Sequence, residues 1–116
     1  MPTQRTPFCI RSKIWIEDDQ GHVVFGLGRY RILQTVRQTG SMHAAAKALK
    51  MSYRSVWMRI RASEQRIGKP LVVREGNGSR LTSFGEKLMA GFERLQQRVK
   101  DESDSVFDSL MSDHLK

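Results

Sequence analysis

Between Gly40 and Thr82 three local signals follow one another almost without linkers: an alanine-dense segment, a serine-started amphipathic segment, and an Asn-Gly pair between two short apolar runs. Thr39-Gly40-Ser41 ends one helix and begins the next, because glycine accepts the left-handed conformation after a helix and a serine hydroxyl caps the first free amides. Met42 to Leu49 carries small side chains that let a neighbouring helix approach closely. Lys50-Met51 makes the turn and Ser52 caps a further helix, along which Val56, Ile60, Ser63 and Ile67 recur at intervals of four, three and four on one face. Gly68 and Pro70 stop it. Leu71–Arg74 and Arg80–Thr82 then read as strands joined across Glu75-Gly76-Asn77-Gly78-Ser79, with Asn77-Gly78 suited to the positive φ of a type I′ turn. The order is that of a helix-turn-helix followed by a β wing.

The flanks extend this unit. Residues 1–8 are polar and proline-bearing and are expected to be disordered. From Cys9 the chain alternates, with Ile10, Ser12, Ile14 and Ile16 on one side and Arg11, Lys13 and Trp15 on the other, the period of a half-buried strand. Glu17-Asp18-Asp19-Gln20-Gly21 makes a turn, and His22-Val23-Val24-Phe25 returns as the second strand of a hairpin. Gly26 and Gly28 break it. A helix then begins near Arg29, with Ile32, Leu33 and Val36 facing inward. Thr82 or Ser83 caps a long final helix, with Ser83 and Glu86 at capping-box spacing. Along it Leu88, Phe92, Leu95 and Val99 fall at a/d-like intervals that suit pairing with a second copy; the rival reading packs the helix wholly on its own domain. A helix of roughly 25 residues is about 38 Å long, more than a small domain readily covers, which favours the partner chain. Asp101, Glu102, Asp104, Asp108 and Asp113 make the end acidic, and fraying is expected there. The organisation expected is a disordered start over residues 1–8, a mainly α domain with small β content over 9–100 (a winged helix-turn-helix with an N-terminal hairpin and the start of a long dimerisation helix), and an acidic helix end or tail over 101–116.

Charge is distributed unevenly over this plan. Residues 29–74 hold eleven Lys/Arg against the single acid Glu64, whereas residues 1–28 balance at three against three and residues 75–116 carry six basic against eight acidic. The net +8 is therefore a local +10 diluted by its flanks. Displacing counterions from phosphates drives such a surface towards polyanions, and its coincidence with a helix-turn-helix makes double-stranded DNA the first partner to consider. A chain of 116 residues has room for one domain, not for a DNA-binding unit plus an ordinary ligand-binding domain. Cys9 is alone, so neither an internal disulfide nor a cysteine zinc cluster is expected. No apolar run approaches the roughly 18 residues needed to cross a bilayer and no signal-peptide pattern opens the chain. A cytoplasmic protein is the simplest expectation.

The same periodicity nominates contacts. With Val56 and Ile60 buried, about 100° per residue turns Tyr53, Arg54, Trp57, Met58 and Arg61 away from the core. Arg54 and Arg61 suit guanine edges or phosphates, because a guanidinium donates two parallel hydrogen bonds. Tyr53 suits a phosphate or a thymine methyl; Trp57 fits either the DNA face or packing against wing or hairpin; Met58 is an apolar base contact or a tolerated surface residue. Ser41 and Ser52 open helices whose amides can meet phosphate, although capping alone also accounts for Ser41. Lys47 and Lys50 flank the turn. Arg74, Asn77 and Arg80 place cations and a polar tip on the wing, at a minor groove. No catalytic residue, metal site or cofactor is expected: His22, His43 and His114 fall in separate elements, the acidic turn has no partner cluster, and no phosphate-cradling GxxxxGK[ST] occurs.

Taken together, KIWIEDDQGHVVFGLGRYRILQTVRQTGSMHAAAKALKMSYRSVW and RIGKPLVVREGNGSRLTSFGEKLM closely resemble the N-terminal DNA-binding domain of ModE-type molybdate-responsive regulators, distant relatives of LysR-type winged helices. The resemblance runs from about Lys13 to Leu95. Its specific pieces are WIEDD with FGLGR, the GS step with its AAA helix, MSYRSVW, and KPLV followed by RLTSFG. It implies a homodimeric winged helix that binds palindromic operators and regulates transcription. In full-length relatives of that type a molybdate-binding module follows; this chain ends after the first domain, so no direct molybdate or tungstate site is expected. Two departures stand out: the wing's glycine-rich segment is only GNGS, and Lys50 occupies a turn position where glycine is common. The alternative from another class is a protein-interaction module that recruits a separate regulator or oxyanion sensor without specific DNA binding of its own.

Overall fold

The computed structural model describes residues 6–116, which form two compact units, Ile14–Phe92 and a second made of residues 6–13 with Glu93–Lys116. In the first unit the elements run β1 (Trp15–Glu17), β2 (Val23–Gly26), α1 (Leu27–Thr39), α2 (Met42–Ala48), α3 (Tyr53–Ile67), β3 (Val72–Glu75) and β4 (Gly78–Leu81), and α4 (Ser83–Met111) begins there and continues through the second. The mainly α winged helix with an N-terminal hairpin and long final helix is as expected.

The hairpin is shorter than its alternation suggests. Pairing begins only at Trp15, and residues 9–13 are exposed and outside any strand. Period two describes a face that needs something to bury it, and within this unit only Ile14 and Ile16 find the core. The register slips between Ile16 and Glu17 and leaves Val24 without a partner on β1. That break frees carbonyls for α3: the fully buried Ser63 donates its hydroxyl to Val24 O at 2.6 Å, and Arg66 donates to Val23 O. Gly28, read as a breaker, lies inside α1, which starts at Leu27.

Helix ends follow the residue chemistry closely. Gly40 terminates α1 at φ 74°, Ser41 Oγ accepts from Ala44 N at 3.1 Å, and Ser52 Oγ accepts from Ser55 N at 3.0 Å. Lys50 holds φ 56° in the α2–α3 turn, the left-handed position for which glycine is the usual choice. At the start of α4 it is Thr82 whose hydroxyl caps, accepting from Gly85 N at 2.9 Å, and Glu86 instead pairs with Arg37 at 2.7 Å, so the Ser83–Glu86 capping box does not form.

The core of this unit joins Phe25, Ile32, Leu33 and Val36 to Val56 and Ile60 of α3, Leu71, and Met89 and Phe92 of α4. Phe92 meets Phe25 edge-on at 5.3 Å. Burying these side chains contributes about 1.5–3 kcal/mol each and fixes the angle at which α3 is presented.

In the second unit α4 persists to Met111 and passes into a 3-10 turn at Ser112–His114. Asp101 and Asp104 do not fray it, because Gln97 and Lys100 reach them across one turn at 2.8 Å each. The Asp104 carboxylate beside Lys100 also raises that ammonium's pKa. Disorder was expected through residue 8, and residues 1–5 lie outside the described part; Thr6, however, is buried and donates to Leu115 O at 2.6 Å.

Candidate nucleic-acid interface

Two serine caps and the left-handed Lys50 set α3 against α2 so that one side of α3 is left open. Tyr53, Arg54, Trp57, Met58 and Arg61 are all exposed along that side, as the helical spacing requires. The wing is held beside them by three sets of hydrogen bonds. Ser79 N donates to Gly40 O at 2.8 Å, Thr82 N donates to Leu71 O at 2.9 Å, and Glu64, 8% exposed, accepts from Leu71 N at 2.7 Å and Val72 N at 3.2 Å. A carboxylate from α3 thus holds the start of the wing's first strand. Gly78 permits the close approach to Gly40.

Between α2, α3 and the wing these contacts leave a polar cleft of about 200 Å³, with Ser41, His43, Tyr53, Trp57, Arg61 and Arg74 on its walls. No acidic side chain lines it. The nominated residues divide by what already holds them. Ser41 and Ser52 spend their hydroxyls on capping. Arg61 is tied to Glu64 at 2.6 Å and lies 5.6 Å from the Trp57 ring centroid, so Trp57 carries a cation while staying 42% exposed beside the wing. Arg54, Lys47 and Lys50 are exposed and enter none of the ion pairs of the described residues.

The wing's arginines separate. In the β3–β4 register Arg74 opposes Ser79 and Arg80 opposes Val73, so the two lie on opposite faces of the ribbon. Arg74 faces the cleft; Arg80 is held by Glu75 at 3.3 Å. The turn is also displaced from the sequence reading. Glu75 pairs with Gly78, so Gly76 and Asn77 are the two central residues, and only Gly76 has positive φ, at 58°. Positive φ at the first position alone is the type II′ pattern, not type I′.

Sequence reasoning passed over His43, which stacks on Tyr53 with ring centroids 3.8 Å apart and planes 7° from parallel. Its spacing of four from Lys47, on the side of α2 opposite the buried Met42, Ala45 and Ala46, is the signal that could have found it. The expected pairing residues also part company: Phe92 is 3% exposed in its own core and Leu88 packs partly against it, whereas Leu95 is 44% exposed. No group of three potential metal ligands occurs among the described residues, and none of their helices is long and apolar enough to cross a membrane.

A three-helix unit with a basic, open second helix of a helix-turn-helix and a hairpin wing locked to it defines a winged-helix DNA-binding fold. The pattern of the bacterial regulatory helix-turn-helix proteins of the lysR family matches residues 27–86, and the chain belongs to that family. Similar relatives include the transcriptional regulator ModE of Haemophilus influenzae, 34% identical over 72% of this chain and 37% of that protein, and the molybdenum transport protein ModE of Azotobacter vinelandii, 30% identical over 71% and 32%. The chain thus spans about a third of the length of these relatives. Among solved structures, the DNA-binding domain of CbnR in complex with DNA shares the fold at TM-score 0.57 and 24% identity, over 71% of this chain and 94% of that one. Full-length CbnR with its target DNA gives 0.55 at 25% identity, over 68% and 27%.

Proposed function

We propose that this chain is the DNA-reading part of a transcriptional regulator, which occupies operator DNA sequence-specifically as a homodimer. The observation that carries the reading is the acid-free cleft between α3 and the wing, together with the exposed Arg54, Lys47 and Lys50 of the helix-turn-helix, which enter no ion pair among the described residues. Arg54 is the side chain assigned to a base edge, because it projects from the first turn of α3 with its donors uncommitted. Lys47 and Lys50 neutralise phosphates at the turn, and Arg74 follows the backbone towards the minor groove. Arg61 contributes through Trp57 and Glu64, shaping the floor of the cleft more than reading sequence.

Dimerisation uses α4 beyond Phe92. Leu95, Val106, Leu110 and Met111 are exposed apolar side chains there, and each is a more available contact than Phe92. Two-fold symmetry then sets half-sites about 10 bp apart or a multiple of it.

A duplex selected from a random library tests the reading. Measured by fluorescence anisotropy, Arg54→Ala costs about 1–3 kcal/mol and relaxes preference at one base pair, while Lys47→Ala weakens all sequences alike and reduces the salt slope by about 1. Failure to select any sequence, or binding independent of salt, contradicts the proposal.

A further inference from the structure

Three arginines that belong to the local +10 are not on the DNA-facing side. Arg59 and Arg66 are seven residues apart and therefore share one side of α3, which about 100° per residue places opposite the Trp57–Arg61 edge. Arg29, half-buried in the first turn of α1, donates its Nε to Arg59 O at 3.3 Å, and Arg66 is anchored on Val23 O. None of the three enters an ion pair of the described residues. Two of the hairpin's three carboxylates are engaged elsewhere: Glu17 accepts from Trp15 Nε1 at 2.6 Å, and Asp18 accepts from the amides of Gln20 and His22 and pairs with the His22 side chain, while Asp19 is exposed in the turn. α1 opens here with neither a side-chain cap nor an acid in its first turn, so its dipole adds to the same sign. Burial, then the charges of Arg66 and Arg59, hold the Arg29 guanidinium below its ordinary pKa.

Three gathered cations with no carboxylate between them leave most of their N–H donors available. We infer that Arg29, Arg59 and Arg66 form a binding site for a phosphate-type dianion on the side of α3 turned away from the recognition face. A single carboxylate brings one charge and two oxygens. A phosphate group brings up to two charges and at least three acceptor oxygens, which matches guanidinium forks on several sides and relieves the repulsion among them. The phosphate comes either from a small solute or from the backbone of a second duplex segment. The site does not depend on the operator reading, because it uses none of the residues assigned to that surface.

The experiment follows melting temperature and the arginine Nε–Hε resonances while inorganic phosphate replaces chloride at fixed ionic strength and pH. Occupancy at ten times the dissociation constant raises the melting temperature by roughly 5 °C, with saturable shifts at the three arginines, and Arg29→Gln or Arg66→Gln abolishes both. Should Arg29→Gln fail to fold, Arg59→Gln carries the test, since its side chain makes only a marginal 3.5 Å contact to Ser55 O within its own helix. The selected duplex is then titrated into wild type and Arg66→Gln. An unchanged affinity, with phosphate still binding the complex, identifies a small solute; a second duplex captured by wild type and not by the variant identifies backbone phosphate. Equal melting temperatures in phosphate and chloride, or a phosphate response that survives the substitutions, overturns the inference. Neither result bears on Arg54, so failure here and failure of the operator reading remain distinguishable.

Discussion

Gly78→Ala is the most economical probe of how the wing is held. A Cβ built on Gly78 falls 2.2 Å from Gly40 O, a backbone atom that cannot rotate away. Gly78 does not have positive φ, so alanine is acceptable to its backbone conformation and the whole effect comes from the contact. Relief requires strand β4 or the α1–α2 turn to retreat by roughly 1 Å, and this breaks the 2.8 Å bond from Ser79 N to the same carbonyl. Losing that bond costs about 1 kcal/mol and forcing the contact about 1–3 more, a total of about 2–4 kcal/mol. For a unit of this size the melting temperature falls by roughly 10 °C or more. Gly91→Ala is the control: Gly91 is exposed on α4 with nothing within 4 Å of its added Cβ, so alanine stabilises by about 0.5–1 kcal/mol through helix propensity. Urea unfolding of both variants, with operator affinity measured in parallel, checks the pair. A Gly78→Ala protein as stable as wild type that binds the selected duplex equally well would refute the clamp.

The caps supply a second expectation: Ser41→Ala and Ser52→Ala each lose about 1 kcal/mol in urea unfolding, and equal stability would show the hydroxyls to be idle. Leu95→Asp keeps its fold by circular dichroism but sediments as a monomer at concentrations where wild type is dimeric, whereas Phe92→Asp, which puts a charge into the core, does not fold. Asp18 accepts from the His22 and Gln20 amides, which lowers its carboxyl pKa in the folded chain. The stability it contributes is present above the unfolded carboxylate value and is lost as pH falls through the lowered folded value. The hairpin turn should accordingly loosen only in acid, seen as faster amide exchange at Gln20 and His22, and Asp18→Asn should remove that dependence.

Local chemistry was the readable part of this chain. Gly40, Ser41, Lys50, Ser52 and Gly68 each act through their own backbone or the next turn, so their roles stand in the sequence without knowledge of the fold. The core face of α3 was readable for the same reason, since Val56, Ile60 and Ser63 need only the helical period. What escaped depends on partners distant in sequence. Phe92 and Leu95 look alike on a helical wheel, and only Phe25 and Tyr30 waiting opposite Phe92 decide which is core. Alternation from Cys9 promised a strand that pairing does not extend to. The turn position was missed by one residue because both Gly76-Asn77 and Asn77-Gly78 satisfy turn chemistry, and it is the docking of Gly78 on Gly40 that commits Gly78 to the strand. Likewise the +10 segment read as one surface, although its arginines fall on opposing sides of α3.

The clamps that escaped the sequence reading also determine how recognition can work. Glu64 is the only acid in the basic segment, and a lone acid in a DNA-binding surface reads at first as an electrostatic defect. Its position explains it: one oxygen holds Arg61 while the other holds the start of β3 through two amides, so α3 and the wing share a single buried carboxylate. Replacing it with alanine would leave Arg61 freer to meet phosphate and at the same time leave Leu71 N and Val72 N buried without acceptors, an outlay of about 1–3 kcal/mol for each orphaned amide. The second effect exceeds what one added phosphate contact returns. The surface therefore gives up one unit of positive charge to keep the wing in register with α3, and under the proposed reading Arg54 and Arg74 would meet DNA at a fixed separation.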